Sequence, residues 1–333
     1  MNKDHALPFP AGRPDPYKQL VDEPTFDPNK HLALGLPSET FKLGELGYQE
    51  SELEGFASDF AYSSAFRILS DEGVEAMRHV CEQIYDNRNA SAGTGANRLG
   101  SYARGAGYRS TFIRDFCDSP ELAAHLSEIA GTRLGRHSVP AVACGINYAP
   151  EDITRAVDTW HVDSVGFDIV MMVTDPHVLK GGEFQVFQGT KQEGQALLGI
   201  EGEEGRDAQL PSERVTTIPF PDAGYGFLQQ GTMIFHRACR LLERASRITM
   251  IPSFEVLPAS AHDSTNTLNM ADWEDPAIRP ELARHELWRT SARLEALLDE
   301  VQLSDDPKAL GERMAEAVAS LNAFSEKLRS QST

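Results

Sequence analysis

The stretch TWHVDS, residues 159–164, places an imidazole and a carboxylate two positions apart. On a β-strand, side chains two positions apart leave the same face, so His161 and Asp163 would point the same way. Both groups ligate metals, and His236, at the end of the later predicted strand GTMIFH, is the candidate third ligand. Two histidines and one carboxylate without thiolates suit Fe(II) and leave three coordination positions open.

A second chemical signal follows eleven positions after His236. Arg247 lies in the otherwise apolar segment SRITMIPSF, and Thr249 shares its face of the predicted strand. An arginine inside a β-core needs an anionic partner, because an unpaired buried charge is costly. A ligand carboxylate satisfies this need, since the guanidinium holds it through two parallel hydrogen bonds.

The order HVD, distal histidine and RIT, with the GGEF turn between them, resembles the Fe(II)/2-oxoglutarate-dependent dioxygenase superfamily over residues 137–257. The sequence around the motif is most similar to microbial members of secondary metabolism that act on free amino acids or small secondary metabolites. The resemblance implies a mainly β, α+β fold, a double-stranded β-helix (jelly roll, cupin-like) with flanking helices. It also implies an enzyme that uses Fe(II), the cosubstrate 2-oxoglutarate and O₂.

The resemblance assigns roles to individual residues. His161, Asp163 and His236 would ligate iron, and Arg247 with Thr249 would bind the distal carboxylate of 2-oxoglutarate. Asn147 and Tyr148 are further candidates for contact with the cofactor. Candidate contacts for a substrate carboxylate or phosphate, from a Gly-rich segment, are Arg98, Tyr102, Arg104 and Arg109. Trp160 and Phe167 are candidate pocket walls or core residues.

The implied reaction is oxidation of an unactivated C–H bond in a small molecule, by hydroxylation or by a related ring closure or desaturation. Asp163 argues against halogenation, because halogenases of the superfamily have a small residue at that position. Two alternatives stay open. One is an iron oxygenase or oxidase that does not use 2-oxoglutarate, and the other is a non-catalytic jelly-roll binding protein.

The amino-acid composition argues against two classes of binding partner for this protein, namely nucleic acid and membranes. The 333 residues carry a formal net charge of −19, so the surface repels phosphate backbones and anionic lipid, and neither nucleic acid nor a membrane is an expected partner. The four cysteines are far apart and form no CxxC motif. No apolar stretch approaches the roughly 20 residues that span a bilayer, and the N-terminus has no signal-peptide pattern, so we expect a cytoplasmic protein.

The residue composition and hydrophobic periodicity along the chain predict three regions within a single catalytic domain. Residues 1–136 read as an extended arm followed by helices, and residues 137–258 read as the β-core. The acidic stretch 191–213 lacks a clear period and predicts an insertion or lid within that core. Residues 259–333 return to an amphipathic helical pattern that suits packing on the core or against a second copy, so a homodimer is one expectation.

Local signals predict where elements begin and turn. Ser70 and Ser119 are predicted N-caps of two amphipathic helices, over residues 69–88 and 119–134. Gly181-Gly182, between two apolar runs, predicts the turn of a β-hairpin.

Overall fold

The computed structural model of the chain describes residues 13–15, 17–86, 101–200, 208–273, 275 and 277–331. Its β-strands are β1 (Thr40–Lys42), β2 (Phe60–Ser63), β3 (Phe66–Arg67), β4 (Tyr102–Ala103), β5 (Leu134–Arg136), β6 (Cys144–Tyr148), β7 (Asp158–His161), β8 (Phe167–Met172), β9 (Phe184–Phe187), β10 (Val215–Ile218), β11 (Tyr225–Gln229), β12 (His236–Ala238) and β13 (Ile248–Val256). Its helices are α1 (Pro28–His31), α2 (Asp71–Tyr85), α3 (Ala106–Arg109), α4 (Thr111–Cys117), α5 (Pro120–Ala130), α6 (Lys191–Leu198), α7 (Thr267–Met270), α8 (Ile278–Glu300) and α9 (Pro307–Ser330).

The strands form two antiparallel sheets. The large sheet runs β1-β2-β11-β8-β13-β6-β4, with β3 paired to β11 and β5 paired to β13, and the small sheet runs β10-β9-β12-β7. Val170 and Phe227 of the large sheet share one apolar cluster with Phe184, Val186 and Ile218 of the small sheet. Burial of these facing side chains joins the sheets, because apolar area removed from water stabilises the layered arrangement.

Antiparallel sheets with flanking helices confirm the coarse fold that the sequence predicts. The large sheet also takes in β1 to β5, which precede residue 137. These strands are only two to four residues long, so a period of two has almost no room to appear in the sequence.

Both helix caps are confirmed. The Ser70 hydroxyl accepts a hydrogen bond from the Gly73 N–H at the start of α2, and the Ser119 hydroxyl accepts one from the Leu122 N–H at the start of α5. Each cap satisfies an N–H that has no partner inside its helix.

The predicted hairpin at Gly181-Gly182 is wrong. β8 belongs to the large sheet and β9 to the small sheet, so this turn carries the chain between the sheets. Both glycines have a positive φ, 79° and 76°, and a Cβ on Gly181 would lie 2.4 Å from the carbonyl oxygen of Arg240. The close approach of the two backbone segments therefore requires glycine here. A glycine pair is also the sequence feature that predicts a hairpin turn, so the sequence does not separate the two cases.

The predicted insertion contains α6, and residues 201–207 lie outside the described part of the chain. Leu198, Ile200 and Leu210 from the insertion pack against Trp160 and Phe235 of the core. The insertion is thus tied down by apolar contacts on both sides of the undescribed residues.

The C-terminal helices cover one end of the sandwich. Ile278 and Leu282 of α8 and Phe324 of α9 pack in an apolar cluster with Val139 and Val165. The outer face of α8 exposes Leu287, Leu294 and Leu298, and the homodimer stays a prediction. No helix in the described residues is long and apolar enough to cross a membrane.

Candidate metal centre

Strand pairing in the small sheet brings the predicted ligands together. His161 ends β7 and His236 begins β12, and the antiparallel register sets these two residues directly opposite each other. Asp163 follows β7 by two residues, and its backbone N–H donates to the Gly231 carbonyl at 2.9 Å. Backbone hydrogen bonds therefore fix all three positions before any metal is considered.

The ligand atoms of these residues converge on one point. His161 Nε2 lies 3.4 Å from Asp163 Oδ1, and His236 Nε2 lies 3.3 Å from Asp163 Oδ2. One ligand atom from each residue falls within 4.8 Å of the others. Two ligands at about 2.1 Å from an ion, at right angles, are about 3 Å apart, so this spacing fits three ligands around one metal ion.

Backbone carbonyls fix the tautomer of both histidines. His161 Nδ1 lies 2.6 Å from the Thr159 carbonyl oxygen, and His236 Nδ1 lies 2.9 Å from the Ile234 carbonyl oxygen. A carbonyl only accepts, so each Nδ1 carries the proton and donates it. When the ring is neutral, each Nε2 therefore carries the lone pair, which is the form that binds a metal.

Neighbouring groups orient the carboxylate ligand. Gln229 Nε2 donates to Asp163 Oδ2 at 3.1 Å and to Asp168 Oδ1 at 2.9 Å. Burial and the nearby Asp163 raise the pKa of Asp168 well above its usual range. Burial alone would also raise the pKa of Asp163, but when His236 and His161 are protonated, their charges and hydrogen bonds hold it well below its usual range. Asp163 is therefore the ionised member of the pair.

An inner cavity between the sheets joins the metal ligands to Arg247. It is lined by Asn147, Asp158, His161, Asp163, Val170, Phe184, His236, Ala238, Arg247, Thr249 and Ile251. Arg247 is only 1% exposed, and burial lowers its pKa to about 10, which still leaves it cationic at neutral pH.

The guanidinium of Arg247 has a donor to spare. Its Nε donates to the Gly182 carbonyl at 3.1 Å and its Nη1 to Thr249 Oγ1 at 3.3 Å. Its Nη2 has no hydrogen-bond partner among the described residues. A buried donor left without a partner is costly, so this arrangement fits a ligand that brings an anionic oxygen. A keto acid that chelates the metal and carries a second carboxylate meets both demands of the cavity.

The other predicted cofactor residues lie on opposite faces of β6. Asn147 lines the inner cavity and pairs in register with Thr249 of β13. Tyr148 faces the other way, where its hydroxyl donates to the Cys81 carbonyl at 2.7 Å. Alternation along the strand therefore separates the two predicted neighbours, and only Asn147 reaches the cavity.

An outer cavity of about 90 Å³ adjoins the inner one. The two cavities share Asn147, Asp158, Asp163 and Ile251 in their walls. The outer cavity is also lined by Tyr102, Arg104 and Trp273, which do not line the inner cavity.

The remaining predicted substrate residues lie away from both cavities or outside the described chain. Arg109 is buried, and its Nε donates to the Arg104 carbonyl at 3.2 Å. Trp160 packs against Phe235 and donates to the Ala208 carbonyl, and Phe167 packs in the main apolar core. Arg98 lies outside the described residues.

Asp158 is a site residue that the sequence pattern does not reveal. It lies three positions before His161, and regular alternation would put the two side chains on opposite faces. The pairing of β7 with β12 is irregular, with His236 opposite His161 but Ala238 opposite Asp158. This bulge turns Asp158 to the same face as His161, with Asp158 Oδ2 3.5 Å from His161 Nε2.

No family model matches the chain, and no curated protein matches it. Solved structures do match. SnoK, described as a non-heme alpha-ketoglutarate-dependent carbocyclase from nogalamycin biosynthesis, is 16% identical over 66% of this chain and 87% of that chain, with a TM-score of 0.43. SnoN, described as a non-heme alpha-ketoglutarate-dependent epimerase from the same biosynthesis, is 15% identical over 62% and 84%, with a TM-score of 0.41.

HygX from Streptomyces hygroscopicus, with nickel and 2-oxoglutarate bound, is 12% identical over 62% of this chain and 85% of that chain, with a TM-score of 0.39.

Proposed function

We propose that the protein is a non-haem Fe(II)- and 2-oxoglutarate-dependent dioxygenase that oxidises an unactivated C–H bond of a small molecule. The two sheets would then form the double-stranded β-helix of that superfamily. One observation carries the proposal: buried Arg247, whose Nη2 donor has no hydrogen-bond partner among the described residues, lines the same cavity as His161 and His236. A metal alone would satisfy the imidazoles and leave the guanidinium unsatisfied.

Each residue has a role that follows from its contacts. His161, Asp163 and His236 would hold the iron. Arg247 and Thr249 would bind the distal carboxylate of 2-oxoglutarate and so set its orientation. When bound, iron and 2-oxoglutarate supply the oxidation of the C–H bond by O₂, with release of succinate and CO₂.

The walls of the inner cavity control what else reaches the site. Val170 and Phe184 present apolar surface, while Asn147 adds an amide that can donate or accept. Exclusion of water by these walls strengthens the ion pair between Arg247 and a bound carboxylate. The proposed reaction is hydroxylation, ring closure or desaturation, and a carboxylate ligand at Asp163 is compatible with all three.

An anaerobic titration tests the proposal. Fe(II) and then 2-oxoglutarate are added to the metal-free protein, and the visible metal-to-ligand charge-transfer band of the chelate is recorded. We expect a band in the wild type, its loss in His236→Ala, and a weakened band in Arg247→Ala. Arg78→Ala, on the exposed side of α2, is the matched control and should retain the full band.

Two results would replace the proposal by a named alternative. Iron binding without a band on addition of 2-oxoglutarate favours an iron oxygenase or oxidase that does not use this cosubstrate. Absence of iron binding in the wild type favours a non-catalytic binding protein built on the same fold.

A further inference from the structure

The outer cavity adjoins the inner cavity and so gives a second ligand access to the candidate metal centre. A ligand held between the metal and Arg247 fills the inner cavity, and four wall residues of that cavity continue into the outer one. A larger cavity of about 350 Å³, beside α8 and α9, shares only Asp163 with the inner cavity. The outer cavity therefore shares more of its wall with the inner cavity, which holds the candidate metal ligands, than the larger cavity does.

The wall of the outer cavity holds one cationic side chain and two acidic side chains. Arg104 is the one cationic side chain among the described residues that line it. Asp158 and Asp163 lie at the end that borders the metal centre. The chain as a whole carries a net charge of −19, so a single arginine in this wall stands out against a field that repels anions.

An aromatic ring holds the guanidinium of Arg104 in place. The guanidinium carbon lies 3.6 Å from the centroid of the Trp273 ring and 5.5 Å from that of Tyr102. At 3.6 Å the group lies close over the face of Trp273, and stacking of this kind involves the face of the guanidinium. Its N–H donors lie along the edge, in the plane that matches the two oxygens of a carboxylate.

The backbone around Arg104 is anchored on both sides. Tyr102 of β4 pairs in register with Asn147 of β6, and the Gly105 N–H donates to the Ala141 carbonyl at 3.0 Å. Gly105 has a φ of +60°, and a Cβ there would lie 2.5 Å from the ring of Tyr17. Arg104 is thus carried by a fixed segment, which reduces the entropy lost when it binds a ligand.

We propose that the primary substrate is a small monocarboxylic acid whose carboxylate binds Arg104 on Trp273, with the carbon to be oxidised at the Asp158 end of the outer cavity. The placement of the oxidised carbon rests on the proposed dioxygenase function, but the carboxylate contact does not. One arginine matches one carboxylate. A phosphate dianion would carry more negative charge toward Asp158 and Asp163, so it is disfavoured.

The test uses four probes of similar small size on the metal-free full-length protein: butyrate, butyramide, butylammonium and inorganic phosphate. Intrinsic tryptophan fluorescence reports binding, because Trp273 touches the guanidinium. We expect butyrate to bind about tenfold more tightly than its neutral isostere butyramide, the effect of a charge-assisted hydrogen-bonded pair. Because the titration needs no iron and no 2-oxoglutarate, its outcome is independent of the charge-transfer experiment.

Variants locate the bound carboxylate. Arg104→Gln should abolish the preference for butyrate, and Arg104→Lys should retain part of it, since the charge stays but the planar fork is lost. Arg247→Gln should keep the preference, and the exposed Arg78→Gln is the control for loss of a positive charge. Far-ultraviolet circular dichroism checks that each variant is folded.

Four results overturn the proposal. They are equal affinity for butyrate and butyramide, tighter binding of butylammonium or of phosphate than of butyrate, loss of the preference in Arg247→Gln but not in Arg104→Gln, and no response to any probe. The third result would place the probe in the inner cavity and leave the dioxygenase proposal intact.

Discussion

Among the residues that the structure describes, two clusters of histidine and carboxylate can be compared, and one of them has the form of a metal site. The metal centre consists of His161, Asp163 and His236. The second group, here named the C-terminal cluster, joins Ser138, Glu255, Asp263, His285 and Arg289 between β13 and α8. Both clusters combine imidazole and carboxylate at very low exposure, so composition and burial do not tell them apart.

The difference lies in how the ring nitrogen atoms of the histidines are arranged around the carboxylates. His285 Nδ1 is 2.6 Å from the Ser138 hydroxyl and His285 Nε2 is 2.6 Å from Asp263 Oδ2, so both nitrogens have protein partners. In the metal centre, a backbone carbonyl accepts from the Nδ1 of each histidine, and both Nε2 atoms face one carboxylate, that of Asp163. Lone pairs that converge, and not the residue types themselves, therefore distinguish a ligand site from a structural network.

The largest expected effect comes from removing one histidine from each cluster. His236→Ala should abolish the charge-transfer band with Fe(II) and 2-oxoglutarate while the metal-free protein stays as stable as the wild type. His285→Ala should keep the band but lower the free energy of unfolding by about 3 kcal/mol, because Asp263 and Glu255 lose a buried partner. The measurements are anaerobic absorption spectra and urea unfolding of both metal-free variants.

A band that survives in His236→Ala, or one that disappears in a folded His285→Ala, would contradict this division between the two clusters.

The same comparison extends to two buried arginines. Arg247→Leu should weaken 2-oxoglutarate binding by about a hundredfold, since charge-assisted hydrogen bonds are lost, without destabilising the metal-free protein. Arg289→Leu should leave 2-oxoglutarate affinity unchanged and lower the free energy of unfolding by about 3 kcal/mol, because Glu255 and Asp263 remain buried with less positive charge. Spectral titration and urea unfolding measure the two quantities.

If Arg247→Leu destabilised the metal-free protein as much as Arg289→Leu, Arg247 would be a structural residue and the reading of its spare donor would be wrong.

The C-terminal cluster should also give the stability a pH dependence. Burial raises the pKa of Glu255 to about 7 from its ordinary 4.5. Between these values the folded protein holds a proton that the unfolded chain has released, so stability is full below about pH 4.5 and falls as the pH rises through about 7. Burial alone would lower the pKa of His285, but Asp263 and Glu255 raise it, which adds a loss of the same sign.

Glu255→Gln isolates the contribution of that carboxyl group, because the amide resembles the protonated acid. Relative to the wild type, the variant should gain on the order of 3 kcal/mol between about pH 5 and about pH 8. Urea unfolding across this range measures the difference, with the exposed Glu72→Gln as control. Parallel curves for wild type and Glu255→Gln would show that Glu255 is ionised in the folded protein throughout.

The sequence predicts the metal centre better than its surroundings. His161, Asp163, His236 and Arg247 are visible because strand alternation and residue type act together within short segments. Asp158 escapes because the bulge between β7 and β12 reverses the alternation on which the prediction depends. The positions of Trp273 and the C-terminal cluster are not predicted from the sequence for another reason. They depend on how helices far along the chain pack onto the sheets, and local hydrophobic periodicity carries no information about that packing.

The fold shows the same limit. Helix caps such as Ser70 are predicted because the side chain and its partner lie three residues apart. The prediction of a hairpin at Gly181-Gly182 is wrong because a glycine pair with positive φ suits both a hairpin turn and a crossover between sheets. Pairing between distant strands decides between the two, and that decision is made by tertiary packing.

The smallest expected effect is a graded loosening of one ligand. A Cβ on Gly231 would lie 2.2 Å from Asp168 Oδ2 and 2.9 Å from Asp163 Cβ, so Gly231→Ala forces the carboxylate of Asp163 to shift. We expect iron affinity to fall by about tenfold, the usual range for a disturbed partner of a metal ligand, with little change in the C-terminal cluster. Gly44→Ala, whose Cβ would meet nothing within 4 Å, is the matched control. Equal iron affinity in both variants would mean that Asp163 moves freely, and that the close backbone approach at Gly231 does not orient the ligand.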